Sequence, residues 1–311
     1  MEGWRTFFML RPEQKKFLSV HFSKVHYNAL LKEYTSFRIG GPADAIVFPE
    51  NIEKISQLVV WLADEKIPWF VIGGGSNILF DDKGFRGIII SLSDCRSMKW
   101  SSKVVVAEGG VPLKFLGLHA IRKSLGGMNF ALGIPGTLGG SIKMNAGAYN
   151  AQISDIMEYI VCITPDGKRH HIKKKDLKIE YRRIDWQHIA PDGIVVESKL
   201  SFFEANTRTL REDARQKMIH RRKTQPIGRA SAGSFFKNPP GDYSAGFLIE
   251  KAGLKGYRIG DAVVSNRHAN FIVNDGNATY REIKDLMYYV QDIVKSKFNI
   301  KLLPEVKIIN A

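Results

Sequence analysis

Three features of the sequence predict an α+β fold. The chain has 311 residues, enough for two or three domains, and helix-like and strand-like apolar patterns alternate along it. The segment "YIVCITPDGKRHHIKK" places a Pro-Asp-Gly turn between two strand-like runs, which predicts a hairpin. Because a hairpin pairs antiparallel strands, a purely parallel, doubly wound sheet is excluded.

The predicted elements follow in chain order. Apolar residues at helical spacing follow Asn51, a residue type that caps helices, and predict a helix over 52–63. A second helix starts at Pro112, where a missing N–H costs nothing. A charged helix is expected over about 207–222 and a long amphipathic helix from near Thr279. The other expected elements are the helix "AGFLIEKAG" and the strands "PWFVI", "GIIISL", "KVVVAEGG", "GIVVESKLSFFEA", "AVVS", "NFIVN" and "IKLLPEVKII".

The chain is strongly basic, with 46 Lys and Arg against 31 Asp and Glu and a net charge of +15. This balance suits an anionic ligand, although a solubilising surface explains it equally well. The basic run "HRRK" at 220–223 lacks the interleaved aromatic residues on which single-stranded nucleic acid stacks. We therefore expect no nucleic-acid partner.

Cysteine usage and the N-terminus bear on the cellular setting. Cys95 and Cys162 stand alone and no CxxC or HxxxH spacing occurs, so we expect no metal site and a reducing compartment. The start "MEGWRTFFML" lacks the features of a signal peptide, and no apolar stretch is long enough to span a membrane. The sequence thus predicts a cytoplasmic protein without membrane insertion.

A first glycine-rich loop follows the predicted strand "PWFVI". It consists of Gly73, Gly74, Gly75, Ser76, Asn77 and Ile78. Consecutive glycines let backbone N–H groups converge on a phosphate without obstruction by side chains. The loop is not a P-loop, since no lysine follows the glycines, and it is not GxGxxG, since Ile78 stands at the last glycine position. A tight turn between strands is the alternative.

A second glycine-dense stretch, "GIPGTLGGSIKMNAGAYN", covers 133–150. Its candidate contacts are Gly136, Gly139, Gly140, Ser141, Asn145, Ala146 and Gly147. So many glycines carry a large chain-entropy cost unless a ligand approaches the backbone closely. Two such loops in one domain favour a large cofactor that contains a pyrophosphate.

Seven segments together resemble one known family. They are "YTSFRIGGPAD", "GGGSNIL", "GIPGTLGGSIKMNAGAY", "RRKTQP", "AGSFFKNP", "GLKGYRIGDAVVSNRHANFIVN" and "LLPEV", in that order. From about residue 20 to the C-terminus the chain resembles the UDP-N-acetylenolpyruvoylglucosamine reductases, flavoenzymes of peptidoglycan precursor synthesis. The resemblance implies a vanillyl-alcohol-oxidase type FAD-binding fold of two subdomains, with a smaller α+β domain over the UDP-sugar. The short path from "HANFIVN" to the last helix resembles the family form without the extra tyrosine loop.

This resemblance sets the expected domain boundaries. They are an N-terminal extension over 1–20, FAD-binding subdomains over 21–95 and 96–224, a substrate-binding domain over 225–300, and a C-terminal strand over 301–311 that returns to the active site. Both glycine loops would bind FAD non-covalently, with NADPH as co-substrate.

The implied reaction reduces the enolpyruvyl ether of a UDP-sugar to a lactyl ether, giving UDP-N-acetylmuramate. NADPH reduces the flavin, which passes the hydride to the terminal vinyl carbon of the substrate. By resemblance, Ser234 then protonates the neighbouring carbon. No HxxS or GxSxG context surrounds Ser234, so nothing near it in sequence would activate a nucleophile.

Two charged residues complete the implied catalytic set. Arg182 matches the family arginine that faces the substrate carboxylate, and Glu305 in "LLPEV" matches a glutamate near the reacting carbons. Where the family pattern has Ser and Phe after this arginine, the chain has Ile184 and Trp186, and Arg183 offers a competing guanidinium. The expected substrate-binding residues are Tyr181, Lys237, Asn238 and Lys255.

Two other functions are compatible with the residues alone. One is a sugar or alcohol oxidase of the same fold, and the other is a non-catalytic, basic nucleotide- or RNA-binding protein. Such oxidases often bind the flavin covalently through a His or Cys, and neither glycine loop contains one. We expect a monomer or weak dimer.

Overall fold

The structure, a computed structural model, describes residues 10–310. It divides into two compact units that interleave along the chain. The first unit comprises residues up to Ala29, Ala43–Gly74 and Arg86–Lys217, and the second comprises Leu30–Pro42, Gly75–Phe85 and Met218 onward. The mixture of helices with parallel and antiparallel strands agrees with the predicted α+β class.

The first unit is built on two sheets. The four-stranded sheet has the order Val25–Leu30, Pro42–Val47, Phe85–Ser91, Trp69–Ile72, and its last two strands are parallel. The five-stranded sheet is antiparallel, in the order Arg169–Lys173, Met157–Ile163, Ile194–Ser201, Val104–Glu108, Met98–Ser101. Short pairs add Gly147–Ala148 with Ala151–Gln152, Lys178–Glu180 with Arg183–Asp185, and Leu125–Gly126 with Phe203–Glu204.

Helices cover these sheets through their apolar faces. Those of the first unit are Pro12–His21, Ile52–Asp64, Leu113–Arg122, Leu138–Lys143 and Ile153–Ile156, and Thr207–Thr224 leads into the second unit. The side chain of Asn51 accepts a hydrogen bond from the amide of Lys54 at 2.9 Å, so the predicted cap is confirmed. Ile55, Leu58 and Leu62 of that helix are fully buried.

The second unit has a four-stranded antiparallel sheet in the order Ala230–Ser231, Ile272–Asn274, Ala262–Val264, Arg258–Ile259. A separate parallel pair joins Ile78–Phe80 to Lys307–Ile309. Its helices are Ala245–Lys251 and Tyr280–Phe298, and the latter buries Ile283, Leu286 and Val290. The long C-terminal helix is therefore the main apolar cover of this unit.

Most expected elements are confirmed, including the hairpin of Met157–Ile163 with Arg169–Lys173. Two differ from expectation. The second glycine stretch contains the short helix Leu138–Lys143, and the terminal segment is a strand only over Lys307–Ile309, with an isolated bridge from Pro304 to Phe236. Both segments contain glycine or proline, which interrupts the periodic apolar pattern from which helices and strands are predicted.

The expected extension over 1–20 is described from residue 10 onward, and residues 1–9 lie outside the described part. Leu10, Leu18 and Phe22 are buried in the same apolar cluster as Ile55 of the first unit. Phe17 stacks on Trp61 with ring centroids 4.4 Å apart. From residue 10, this segment therefore contributes to the core of the first unit.

The start of helix Tyr280–Phe298 offers a test of local stability. Thr279 accepts a hydrogen bond from the Glu282 amide, and the Glu282 side chain accepts one from the Thr279 amide, which forms a capping box. We expect Thr279→Ala to lower the free energy of unfolding by about 1 kcal/mol, because helix-end amides lose their acceptor. Urea denaturation measures this loss, and Thr279→Ser should restore most of it. Thr209→Ala, at an exposed helical site, is the control, with a change within about 0.5 kcal/mol. An equal effect of both alanine variants would contradict the capping role.

Candidate functional site

The two glycine loops contact each other within the first unit. A Cβ atom added to Gly73 would lie 2.7 Å from Thr137 Oγ1, and one added to Gly74 would lie 2.7 Å from the Cα of Gly136. Side chains at these positions are therefore excluded by the opposite loop. Packing of the two loops therefore requires glycine at positions 73 and 74, whether or not a ligand also approaches them.

Gly140 is different from these glycines. A Cβ added there would have only Thr137 Oγ1 nearby, at 3.7 Å, which is ordinary contact distance. Protein packing thus does not require a glycine at this position. Helix propensity does not favour one either, because Gly140 lies in the helix Leu138–Lys143, where alanine is the more favourable residue. The open space beside this backbone suits a cofactor that approaches it closely.

Asn145 is buried and organises the end of the second glycine loop. Its Nδ2 donates to Gln152 Oε1 and to the carbonyl of Glu180, both at 3.0 Å. Glu180 precedes the turn Tyr181-Arg182 of a two-stranded hairpin. Asn145 therefore ties this turn to the glycine loop. Ser141 is buried in the adjacent helix, and its carbonyl accepts the Ala146 amide at 2.8 Å.

Arg182 points to the same loop. Its Nη1 donates to the carbonyl of Gly147 at 3.0 Å, and its guanidinium lies 5.1 Å from the centroid of the exposed Tyr181 ring. Arg182 has φ 59°, a left-handed conformation that costs an ordinary residue about 1 kcal/mol or more. Such local strain concentrates at functional sites.

Arg183, the competing guanidinium, is engaged elsewhere. Its Nη2 forms an ion pair with Asp185 at 2.5 Å. The two departures from the family pattern, Ile184 and Trp186, are both buried in the core of the first unit. Trp186 Nε1 donates to the carbonyl of Gly193 at 3.1 Å. These replacements pack the hairpin against the core and leave Arg182 beside the glycine loop.

In the second unit, the Ser234 loop lies against the C-terminal segment. The Glu305 amide donates to the carbonyl of Phe235 at 2.8 Å, and the Lys237 amide donates to the carbonyl of Leu303 at 2.9 Å. The backbone that directly follows Ser234 is therefore bonded to Glu305, although 71 positions separate Ser234 from Glu305. Phe235 and Phe236 are both 1% exposed, so they anchor this loop in the core.

The second half of the first glycine loop meets the same segment. Asn77 Nδ2 donates to the carbonyl of Glu305 at 3.1 Å, and the Asn77 carbonyl accepts the Lys307 amide at 2.9 Å. Ile78 begins the strand that pairs with Lys307–Ile309. The second half of the predicted cofactor loop is thus bonded directly to the segment 305–307, which contains the predicted catalytic glutamate. Ser76 follows Gly75 within this half of the loop.

Ser36 connects these parts, and the sequence analysis gave it no role. Its amide donates to the Gly75 carbonyl at 3.0 Å, and its Oγ donates to the Ser231 carbonyl at 2.6 Å. Gly75 has φ 60°, and a Cβ there would lie 1.9 Å from the carbonyl oxygen of Tyr34. Ser36 thus links the glycine loop to the strand before Ser234. The sequence signal that could have indicated Ser36 is the segment "YTSFRIGG", which contains it and belongs to the motifs that carry the family resemblance.

The predicted substrate-binding residues of the second unit have different surroundings. Asn238 Oδ1 accepts the Ala245 amide at 3.1 Å, and Lys255 pairs with Glu250 at 2.7 Å. Lys237 has no ion-pair partner within residues 10–310. Sequence reasoning also missed Asn270, which makes three hydrogen bonds to Phe235 and Phe236.

Neither a metal-binding cluster nor a membrane-spanning helix occurs within residues 10–310. No group of three or more His, Cys, Asp or Glu within 10–310 could hold a metal ion. No helix in that range is long and apolar enough to cross a membrane. Burial raises the pKa of Cys95 and of Cys162 to about 12, so neither thiol is ionised at neutral pH.

Family models match two parts of the chain. Residues 43–173 match the model described as FAD binding domain, which includes both glycine loops. Residues 225–309 match the model described as UDP-N-acetylenolpyruvoylglucosamine reductase, C-terminal domain, which includes Ser234 and Glu305.

Similar proteins and structures cover nearly the whole chain. UDP-N-acetylenolpyruvoylglucosamine reductase of Caldanaerobacter subterraneus subsp. tengcongensis is 40% identical over 92% of this chain and 94% of its own length. The protein of the same name from Clostridium tetani is 38% identical over 92% of each chain. The crystal structure of UDP-N-acetylenolpyruvylglucosamine reductase from Thermus caldophilus aligns with a TM-score of 0.79 and 33% identity, over 92% of this chain and 99% of that one. This chain therefore belongs to the UDP-N-acetylenolpyruvoylglucosamine reductase family and is an oxidoreductase with an FAD-binding domain.

Proposed function

We propose that the protein reduces UDP-N-acetylglucosamine enolpyruvate to UDP-N-acetylmuramate, with NADPH as electron donor and FAD as bound cofactor. We place this reaction in peptidoglycan precursor synthesis in the cytoplasm. The observation that supports the proposal is the hydrogen bond from the Glu305 amide to the carbonyl of Phe235, the residue that follows Ser234. The names of the relatives supply the substrate.

The residues of both glycine loops fit FAD. Gly73 and Gly74 let the two loops approach each other, and Gly140 leaves room beside the helix backbone. Ser76, Asn77 and Ile78 would bind from the first loop, and Gly136, Gly139, Ser141, Asn145, Ala146 and Gly147 from the second. When bound, the flavin would take a hydride from NADPH and deliver it to the substrate.

Ser234 would donate the proton to the carbon that gains negative charge. Its hydroxyl has no hydrogen-bond partner within residues 10–310, so it is available to a ligand. The buried phenylalanines that follow fix the position of its backbone. A donor held in this way contributes to the rate by proximity and by general acid catalysis.

Arg182 and Glu305 would act on the charge around the reacting carbons. The guanidinium of Arg182 would hold the substrate carboxylate, into which the developing charge spreads. Glu305 would lie near the same carbons and help to orient Ser234. Lys237, Asn238, Lys255 and Tyr181 would contact the UDP-sugar. Among them Lys237 is best suited to a phosphate, because Lys255 already pairs with Glu250.

Of the two alternatives, the non-catalytic nucleotide- or RNA-binding protein is wrong, because the chain belongs to an oxidoreductase family. The oxidase alternative has no observation in its favour, since the C-terminal part matches the reductase domain. A monomeric or weakly dimeric state, with no nucleic-acid partner, stays a prediction.

Ser234→Ala tests the proton donor. We expect turnover of the enolpyruvyl substrate to fall by roughly 10²–10⁴ because general acid catalysis is lost. Flavin reduction by NADPH, followed anaerobically by the loss of flavin absorbance, should remain normal. Ser231→Ala, which removes a hydroxyl from the same segment, should retain wild-type turnover. Normal turnover of Ser234→Ala would remove this serine from the mechanism.

A matched pair of lysine variants tests the arginine assignment. We expect Arg182→Lys to lower kcat about 10²–10³-fold, since a lysine keeps the charge but loses the bidentate fork. Arg183→Lys should stay near wild type because Arg183 faces Asp185. Steady-state kinetics with the enolpyruvyl substrate measures both. Equal losses in the two variants would contradict the assignment to Arg182.

Gly140→Ala tests the space reserved for the cofactor. We expect the dissociation constant for FAD to rise about tenfold, which is about 1.4 kcal/mol, because the added methyl group occupies that space. The apoprotein should be as stable as wild type or slightly more so, because alanine favours the helix by about 0.5–1 kcal/mol. Flavin fluorescence titration and urea denaturation of the apoprotein separate the two effects. Unchanged FAD affinity would show that no ligand atom lies beside Gly140.

A further inference from the structure

We infer that His268 is a positioning residue for Ser234. Its neutral imidazole accepts the backbone N–H of Asn270, and Asn270 in turn holds the two residues that follow Ser234. The inference rests on the proposed role of Ser234 as proton donor. In this role His268 does not touch the reacting atoms and acts only through its hydrogen bond to Asn270.

Asn270 fixes the Ser234 loop through three hydrogen bonds. Its carbonyl accepts the Phe235 amide at 2.7 Å, its Oδ1 accepts the Phe236 amide at 2.9 Å, and its Nδ2 donates to the Phe236 carbonyl at 2.8 Å. Asn270 is 4% exposed, so water cannot replace these bonds easily. A small rotation of Asn270 would therefore move the backbone next to Ser234.

His268 fixes the backbone of Asn270. The Asn270 amide donates to His268 Nδ1 at 3.2 Å. Because a backbone N–H is always the donor, Nδ1 must carry a lone pair, and the proton of the neutral ring lies on Nε2. An imidazolium has N–H groups at both nitrogens, so protonation would turn this attraction into a clash of two donors.

The imidazole ring has little freedom to move away. It packs edge-on against Phe271 with centroids 4.9 Å apart, and a Cβ added to Gly246 would lie 3.3 Å from its Cε1. Ser265 Oγ accepts the amides of Arg267 at 3.2 Å and His268 at 3.4 Å, which fixes the turn. The ring therefore cannot restore the bond to Asn270 by rotating.

The charges around His268 favour its neutral form. Burial lowers the pKa of His268, and the nearby ammonium of Lys255 lowers that pKa further, while Glu250 opposes them. Lys255 and Glu250 form an ion pair at 2.7 Å, and Arg267 of the same turn donates to the carbonyl of Arg222. At neutral pH the ring is uncharged and accepts the Asn270 amide.

This arrangement predicts an acid-sensitive position for Ser234. A histidine whose pKa is lowered in the folded state contributes stability above its ordinary value of about 6.5. That contribution is lost as the pH falls from about 6.5 through the lower folded value. Over this window Asn270 should loosen and the Phe235 and Phe236 amides should lose protection.

Two substitutions separate positioning from mere packing. His268→Asn offers a side-chain oxygen close to the place of Nδ1, and this acceptor does not titrate. We expect kcat of the wild-type protein to fall as the pH drops below about 6.5, which gives its pH profile an acid limb. His268→Asn should keep kcat within about threefold of wild type at pH 7.5 and should lack this acid limb. His268→Leu fills the site without an acceptor, and we expect kcat to fall about 10- to 100-fold at every pH.

Amide exchange supplies a readout that is independent of activity. In the wild-type apoprotein, protection of the Phe235 and Phe236 amides should fall with pH over the same window. In His268→Asn it should be independent of pH, and in His268→Leu it should be low throughout. The ¹⁵N shift of Nδ1 should identify an unprotonated acceptor at neutral pH.

Ser234→Ala, measured in parallel, distinguishes failure of this inference from failure of the proposed function. If Ser234→Ala turns over normally, the proposed role of the serine fails. If Ser234→Ala is slow but His268→Asn shows the wild-type acid limb and the wild-type loss of amide protection, the inference about His268 is overturned. Flavin reduction by NADPH should be the same in all variants.

Discussion

The hydrogen bond from the Glu305 amide to the Phe235 carbonyl, 2.8 Å long, is the constraint on which the candidate site of the second unit depends. It joins the loop that carries Ser234 to a segment near the end of the chain. Asn77 adds the first glycine loop to the same segment through the Glu305 carbonyl. Three distant parts of the sequence therefore meet at one short stretch of backbone. A backbone contact of this kind fixes position more tightly than contacts between flexible side chains.

Asparagine side chains link separate segments of the second unit by hydrogen bonds. Asn77, Asn270 and Asn274 each bridge two segments, and Asn274 Nδ2 donates to the carbonyl of Phe37 at 3.1 Å. An amide side chain offers both donors and an acceptor, so it can satisfy two buried backbone groups at once. Such bridges hold the loops without adding a charge that would compete with an anionic substrate.

In the first unit, the arginine assignment shows how structure separates neighbours of the same type. Arg182 and Arg183 are adjacent and equally basic, yet their partners differ. Arg182 reaches the carbonyl of Gly147, whereas Arg183 forms an ion pair with Asp185. Arg182 lies in the turn with φ 59°, whereas Arg183 begins the strand Arg183–Asp185, so the backbone directs the two side chains differently. The buried Ile184 and Trp186 determine which face packs against the core.

The sequence alone determined the helices and strands with strong periodicity, the cap at Asn51, the start of the last helix near Thr279, and the family, because these depend on local residue order. It also indicated Ser234, Glu305 and both glycine loops through their motifs. Only the tertiary structure decided that Gly73 and Gly74 are required by the opposite loop, whereas Gly140 is not. Only it assigned roles to Ser36 and Asn270 and identified the Asn270 amide as the hydrogen-bond partner of His268. Their partners lie from two to nearly 200 positions away, and a hydrogen-bonding side chain carries no sequence signal for a partner that folding alone brings near.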